Sequence, residues 1–174
     1  MMGAGKSSVG RCLRRRMGLA LVDVDEVVAS NFGMSIPEIF AEHGEKTFRK
    51  AETETLRRVR TEEQTIIITG GGIVLRKNNV EILKKQGAIV WLDGDEETLF
   101  ARASRKQNRP LLQTKNPRKT FSQILAARRP LYANIANIRV DTSVLTDEEV
   151  AVAILAKLRR MNPKPESLVQ AKAS

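Results

Sequence analysis

Apolar residues along the chain gather in four short runs, separated by longer stretches with helical spacing. Residues 65–69 read Thr-Ile-Ile-Ile-Thr, β-branched throughout, and stop at Gly70-Gly71-Gly72, which predicts a buried strand ending in a bare loop. Residues 88–92 (Ala-Ile-Val-Trp-Leu), 19–24 and 138–141 predict three more strands. Between them, helices are expected over 9–17, 27–44, 46–59, 79–85, 96–104, 121–129 and 147–160. The 27–44 stretch puts Ile36, Ile39 and Phe40 on one face and ends at a glycine, while Pro130 follows the 121–129 helix closely. Strands alternating with helices at this spacing predict βαβ units, so the expected class is α/β, a parallel sheet between two layers of helices. No repeat or long linker interrupts it, which implies one domain over 1–161. From 162 the composition turns to Pro, Lys, Ser and Ala, and 162–174 is expected to be a frayed tail.

Composition adds exclusions. The 174 residues are 41% apolar and 29% charged, a globular balance. No run approaches 18 apolar residues, so no membrane span is expected, and the first residues do not resemble a signal peptide. A single cysteine, Cys12, excludes an internal disulfide and fits a reducing cytoplasm. With His43 the only histidine, a zinc site of the usual ligands is not expected.

The net charge is +10, and its placement matters more than its size. Residues 102–119 carry Arg102, Arg105, Lys106, Arg109, Lys115, Arg118 and Lys119 and no acid. Such a segment suits a lid over polyphosphate, at about 104–120, better than a broad nucleic-acid face. The aromatic inventory, one Trp, one Tyr and five Phe, is thin for a single-strand binder. The same charges also fit a solvated loop.

Gly5-Lys6-Ser7 is the end of the pattern G-x-x-x-x-G-K-[ST]. Its glycines let backbone N–H groups face phosphates, its lysine places a charge beside them, and its hydroxyl ligates Mg²⁺. A helix starting there adds its positive end. The pattern's first glycine would fall one residue before Met1, and the strand that usually precedes the loop is missing. Losing that strand would cost several kcal/mol at roughly 1.5–3 kcal/mol per buried side chain. The expectation is therefore that Met1 is an internal methionine, with translation beginning some ten residues upstream. Asp23-Val24-Asp25 closes the first apolar run. On a strand, both carboxylates would project to one side at the C-terminal end, where ligands bind in open α/β sheets. As an isolated motif it equally suits a solvated corner.

The order of motifs carries more than any one of them. M-M-G-A-G-K-S-S-V-G-R, L-V-D-V-D, I-F-A-E-H-G-E-K-T-F-R-K-A-E, I-I-I-T-G-G-G-I-V, N-R-P-L-L and R-R-P-L-Y follow one another, and together resemble bacterial shikimate kinase over about residues 1–158. The resemblance implies a P-loop kinase fold and phosphoryl transfer from MgATP to the 3-hydroxyl of shikimate in chorismate biosynthesis, by a cytoplasmic monomer that binds neither nucleic acid nor membrane. It implies ATP contacts from Gly3, Ala4, Gly5, Lys6, Ser7, Ser8, Arg102 and Arg109, with Arg102 against adenine and Arg109 as the lid arginine. Mg²⁺ would be held by Ser7 and, through water, Asp23. Shikimate would lie within a region of about 25–53, contacted by Asp25, Arg49, Arg128, Gly70, Gly71 and Gly72. Lys6, Asp25 and Arg109 would carry the catalysis. Glu52 would hold Arg49 in place.

Other residues have plainer readings: Trp91 as core, Cys12 as a small buried hydrophobe, His43 as structural or surface, Arg129 as surface. Two other functions remain open, a kinase for another hydroxy acid such as gluconate and a nucleotide- or nucleic-acid-binding relative without catalysis.

Overall fold

The computed structural model describes residues 1–59, 64–105 and 110–161. The expected tail lies outside the described residues, as does Arg109. Helix α1 (Lys6–Met17) leads into β1 (Ala20–Asp23), then α2 (Val24–Phe32) and α3 (Ile36–Arg58). Next come β2 (Thr65–Ile68), a 3-10 turn at Ile73–Leu75, α4 (Lys77–Gln86), β3 (Val90–Asp93) and α5 (Glu96–Ser104). A second 3-10 turn at Pro110–Leu112, α6 (Pro117–Ile135), β4 (Ile138–Asp141) and α7 (Asp147–Met161) complete the order.

The strands are parallel, as expected, but they form two pairs rather than one sheet. β1 pairs with β2 in the register Ala20–Thr65 to Asp23–Ile68, and β3 with β4 from Val90–Ile138 to Asp93–Asp141. Between β2 and β3 lies a cavity of about 1230 Å³, lined by Ile66, Ile67 and Ile68 on one side and Val90, Trp91 and Leu92 on the other. Val9 and Leu13 of α1 and Ile154 and Leu158 of α7 also line it.

The main core joins α1, α5, α6 and α7 through Val9, Leu99, Phe121, Leu125, Val150 and Ile154, all buried. A separate small core, Val28, Ile39 and Phe48, holds α2 against α3. α1 approaches β2 closely: a Cβ on Gly10 would sit 2.5 Å from Ile68 Cδ1. Across the molecule, Glu148 of α7 takes both Arg15 and Arg16 of α1.

Three element boundaries differ from the sequence expectation, each for a local reason. The stretch 27–44 is not one helix, because Gly33 closes α2 at φ 63° and Ser35 opens α3 with a reciprocal capping box to Glu38. Gly44, expected as a stop, is only a kink inside α3 at φ 76°. α6 runs through Pro130 to Ile135, since Tyr132 and Ile135 are buried beyond the proline and their packing outweighs the lost backbone bond.

Candidate active site

The phosphate loop is built by backbone more than by side chains. Gly3 and Gly5 adopt φ 75° and 78°, a region open to glycine at little cost. At Gly3 space is also lacking, because a Cβ would run into the carbonyl oxygen of Leu99 on α5. Ala4 is buried. Gly5 caps α1, whose first turn carries no acid and whose last turn carries Arg14, Arg15 and Arg16. No acid of α1 itself therefore offsets the positive end of the helix. Lys6 Nζ donates to the Met1 carbonyl at 2.8 Å, Ser7 Oγ donates to Asp23 Oδ2 at 3.3 Å, and Ser8 Oγ accepts from Arg11. Asp147, first residue of α7, comes within 3.1 Å of where a Gly5 side chain would start.

Asp23 and Asp25 do converge, though not as two residues of one strand. Asp23 ends β1 and caps α2, its Oδ1 accepting from the Asp25 backbone N–H at 3.1 Å, and Asp25 lies in the first turn of that helix. The shared corner comes from the cap rather than from strand alternation.

Across from it stands Arg49 on α3, buried. Its Nε and Nη2 donate to Glu45 Oε1 at 3.1 and 3.0 Å, and its Nη1 donates to Glu52 Oε2 at 3.0 Å. Glu52 is fully buried, and that burial pushes its carboxyl above the ordinary range while Arg49 opposes the shift. The i, i+3 and i, i+4 spacing makes both pairs a property of helix geometry.

The triple glycine meets these groups directly. A Cβ on Gly70 would lie 2.7 Å from Asp25 Oδ1 and 2.9 Å from Glu52 Oε1, and one on Gly72 would enter the Arg49 guanidinium. One on Gly71 would come within 3.2 Å of the Tyr132 hydroxyl and 3.7 Å of Arg128 Nη1. None of the three has positive φ, so it is space, not backbone conformation, that asks for glycine here. Tyr132 Oη donates to the Gly71 carbonyl at 2.5 Å, and burial raises its pKa, so the hydroxyl keeps its proton. Asp25, Arg49, Gly70–Gly72 and Arg128 thus share one corner, at the C-terminal ends of β1 and β2.

Arg102 donates from Nη1 to the Thr142 carbonyl at 2.9 Å and from Nη2 to the Ser143 carbonyl at 3.3 Å. That contact fixes the loop after β4, where Val144 is fully exposed. Arg129 is partly exposed at the surface, as expected, while its guanidinium donates to Gly94 O at 2.6 Å and lies 3.4 Å from the buried Asp93. The segment expected as a lid is partly helical: 117–120 form the first turn of α6, and Arg118 lies over the Phe100 ring at 5.0 Å. Trp91 and Cys12 are buried as expected, and exposed His43 stacks on Phe32 at 5.4 Å. Sequence reasoning missed Glu45 and Tyr132. Glu45 was detectable as an acid four residues before Arg49 on a helix; Tyr132 became visible only once α6 was known to continue past Pro130.

For a divalent ion, the available donors are the Ser7 hydroxyl and the Asp23 carboxylate, hard oxygens already 3.3 Å apart beside the phosphate loop. That fits Mg²⁺, which takes few protein oxygens and keeps its waters. Among the described residues no group of three or more His, Cys, Asp and Glu gathers as a metal cage.

A glycine loop feeding a helix, a carboxylate corner beside it and a guanidinium-lined pocket opposite define a P-loop small-molecule kinase. The shikimate kinase family model matches residues 2–159. Shikimate kinase of Thermodesulfovibrio yellowstonii is 42% identical, over 92% of this chain and 92% of that protein. That of Bordetella pertussis is 37% identical, over 94% and 78%. Among solved structures, Acinetobacter baumannii shikimate kinase in complex with shikimate superposes with TM-score 0.89 at 35% identity, covering 94% of this chain and 91% of that one. A gluconokinase from Sinorhizobium meliloti shares the fold only, at TM-score 0.56 and 18% identity. The chain belongs to the shikimate kinase family.

Proposed function

We propose that the chain transfers the terminal phosphoryl group of MgATP to the 3-hydroxyl of shikimate, as a cytoplasmic monomer. One observation carries the reading: two buried guanidinium groups, Arg49 and Arg128, and the Asp25 carboxylate all border one loop of three glycines, where a side chain would run into them. A planar guanidinium pairs with a carboxylate through two parallel hydrogen bonds, and a carboxylate accepts from hydroxyls. The pocket therefore suits an acceptor that carries both a carboxylate and neighbouring hydroxyls. Gluconate has them too, but the guanidinium pair sits on the α3 and α6 motifs this chain has in common with shikimate kinases.

In this reading Gly3, Ala4, Gly5 and Ser8 present backbone groups to the phosphates, and Lys6 moves from the Met1 carbonyl to the transferring phosphoryl group. Arg102 supports adenine through the loop after β4, and Arg109 reaches the phosphates from the lid. Bound through Ser7 and Asp23, Mg²⁺ would offset phosphate charge. Asp25 orients the acceptor hydroxyl and takes its proton, while Arg49 and Arg128 grip the carboxylate against Gly70, Gly71 and Gly72. Glu45 and Glu52 hold Arg49 in position. Catalysis of this kind is chiefly positioning and cationic stabilisation, with little covalent work for the protein.

The test is an ADP-release assay with shikimate and gluconate in parallel, followed by phosphorus NMR of the product. Turnover with shikimate and phosphate on the 3-oxygen are expected; turnover with gluconate alone would overturn the assignment.

A further inference from the structure

We infer that Tyr132 is a positioning residue for the acceptor: its hydroxyl locks the orientation of the Gly71–Gly72 peptide, and so sets the side of the glycine loop on which the Gly72 N–H is presented. This deepens the proposed function and rests on it only for the identity of the acceptor.

A peptide between two glycines needs such a lock. With no Cβ on either side, the peptide plane turns over against little steric resistance. The glycines stand here because Asp25, Glu52 and Arg49 leave no room for side chains, so crowding removes the very groups that would otherwise hold the backbone. The peptide is planar and trans, which puts its C=O and its N–H on opposite sides. Whatever holds the Gly71 carbonyl therefore also decides where the Gly72 N–H points. Gly72 is buried, and among the described residues no group accepts from its N–H. A buried N–H calls for a partner, and a hydroxyl or carboxylate oxygen of the acceptor is the kind of group that supplies one.

Tyr132 holds that carbonyl from one side of the loop. Its hydroxyl donates to Gly71 O at 2.5 Å, while the Met1 sulfur, a weaker acceptor, lies farther off at 3.8 Å. The ring is buried and packs on Trp91 with centroids 5.9 Å apart, so the oxygen is fixed in place. α6 delivers it by continuing through Pro130, which sets Tyr132 one turn beyond Arg128 on the same helix face. Burial keeps the phenol protonated, and only the protonated form donates to a carbonyl. A phenylalanine would fill the same space and hold nothing.

The experiment compares the parent with Tyr132→Phe, which keeps the ring against Trp91. NMR relaxation dispersion at glycine amides is read first, without nucleotide or shikimate, so this arm does not depend on which acceptor is turned over. Microsecond-to-millisecond exchange at the Gly72 amide is expected in the variant and not in the parent. Steady-state kinetics are read second. The KM for shikimate should rise by about fivefold, the ratio for losing one neutral hydrogen bond, and the KM for ATP should stay within about twofold. A thermal midpoint shifted by no more than about 8 °C separates this from general loosening of the fold. A raised shikimate KM with no new exchange at Gly72 would mean that Tyr132 acts through Arg128, and would overturn the lock. New exchange with an unchanged shikimate KM would show that the peptide's orientation does not matter to the acceptor, and equal rises in both constants would point to a merely structural tyrosine; either overturns the proposal. Turnover of gluconate in place of shikimate would remove the kinase assignment while leaving the dispersion result to stand, and the KM comparison would then be made with gluconate.

Discussion

At Gly72 a hydrogen does what no side chain could. Its backbone lies at φ −89° and ψ −5°, open to any residue, so a substitution there tests proximity alone. A methyl would enter the Arg49 guanidinium, which Glu45 and Glu52 hold by hydrogen bonds. Gly72→Ala is expected to raise the KM for shikimate by about tenfold, the effect of losing one charge-assisted hydrogen bond. The KM for ATP should stay within about twofold. Steady-state kinetics with each substrate varied would check this; equal increases in both constants would point to general disruption instead. The buried Glu52 beneath it carries a pH signature. Its carboxyl titrates above the ordinary 4.5, so the folded chain holds a proton that the unfolded chain releases. Its contribution to stability therefore declines as pH rises from 4.5 through that raised value.

Among the elements, the strands were the most legible in the sequence, because runs such as Thr-Ile-Ile-Ile-Thr have no helical alternative. Helix limits were harder. The break at Gly33 depends on Ser35 and Glu38 capping each other, a signal that the helical spacing of Ile36, Ile39 and Phe40 masked. Pro130 reads as a stop until Tyr132 and Ile135 are seen buried beyond it. Asp23 and Asp25 do not stand side by side on one strand as expected: Asp23 caps the helix in whose first turn Asp25 lies, and accepts from the Asp25 backbone N–H. The contact between α1 and α7 was not legible at all, because nothing local links Arg15 and Arg16 to Glu148. Hydrogen bonds from Cys12, Arg16 and Arg15 hold the Glu148 carboxyl down at about 2, below its ordinary 4.5. A depressed folded value means that the stabilisation is present above 4.5 and fades as pH falls toward 2. Solvent screening at this exposed site keeps it modest. In urea unfolding of the parent and Glu148→Gln between pH 7 and pH 2, the parent should be the more stable at neutral pH and the two should converge near pH 2. A gap that stays constant with pH would contradict the ion-pair account.

Over the whole molecule, two strand pairs and seven helices among the described residues deliver one working corner and one open seam. The corner lies at the strand ends, where chain that left β1, α3, β2 and α6 far apart in sequence is brought together. Its residues could be named from motif order, but only packing explains why three glycines are needed between two carboxylates and two guanidinium groups. The account stands on Arg49 and Arg128 gripping the same carboxylate. Calorimetric titration of shikimate into the parent, Arg49→Lys, Arg128→Lys and the double variant tests that most directly, since a lysine keeps the charge but not the planar fork. Each single change should weaken binding by about tenfold, and the double change by clearly less than the product of the two, as for groups that share a partner. Single variants that bind shikimate as tightly as the parent, or a double variant whose loss is the simple product of two independent sites, would contradict it.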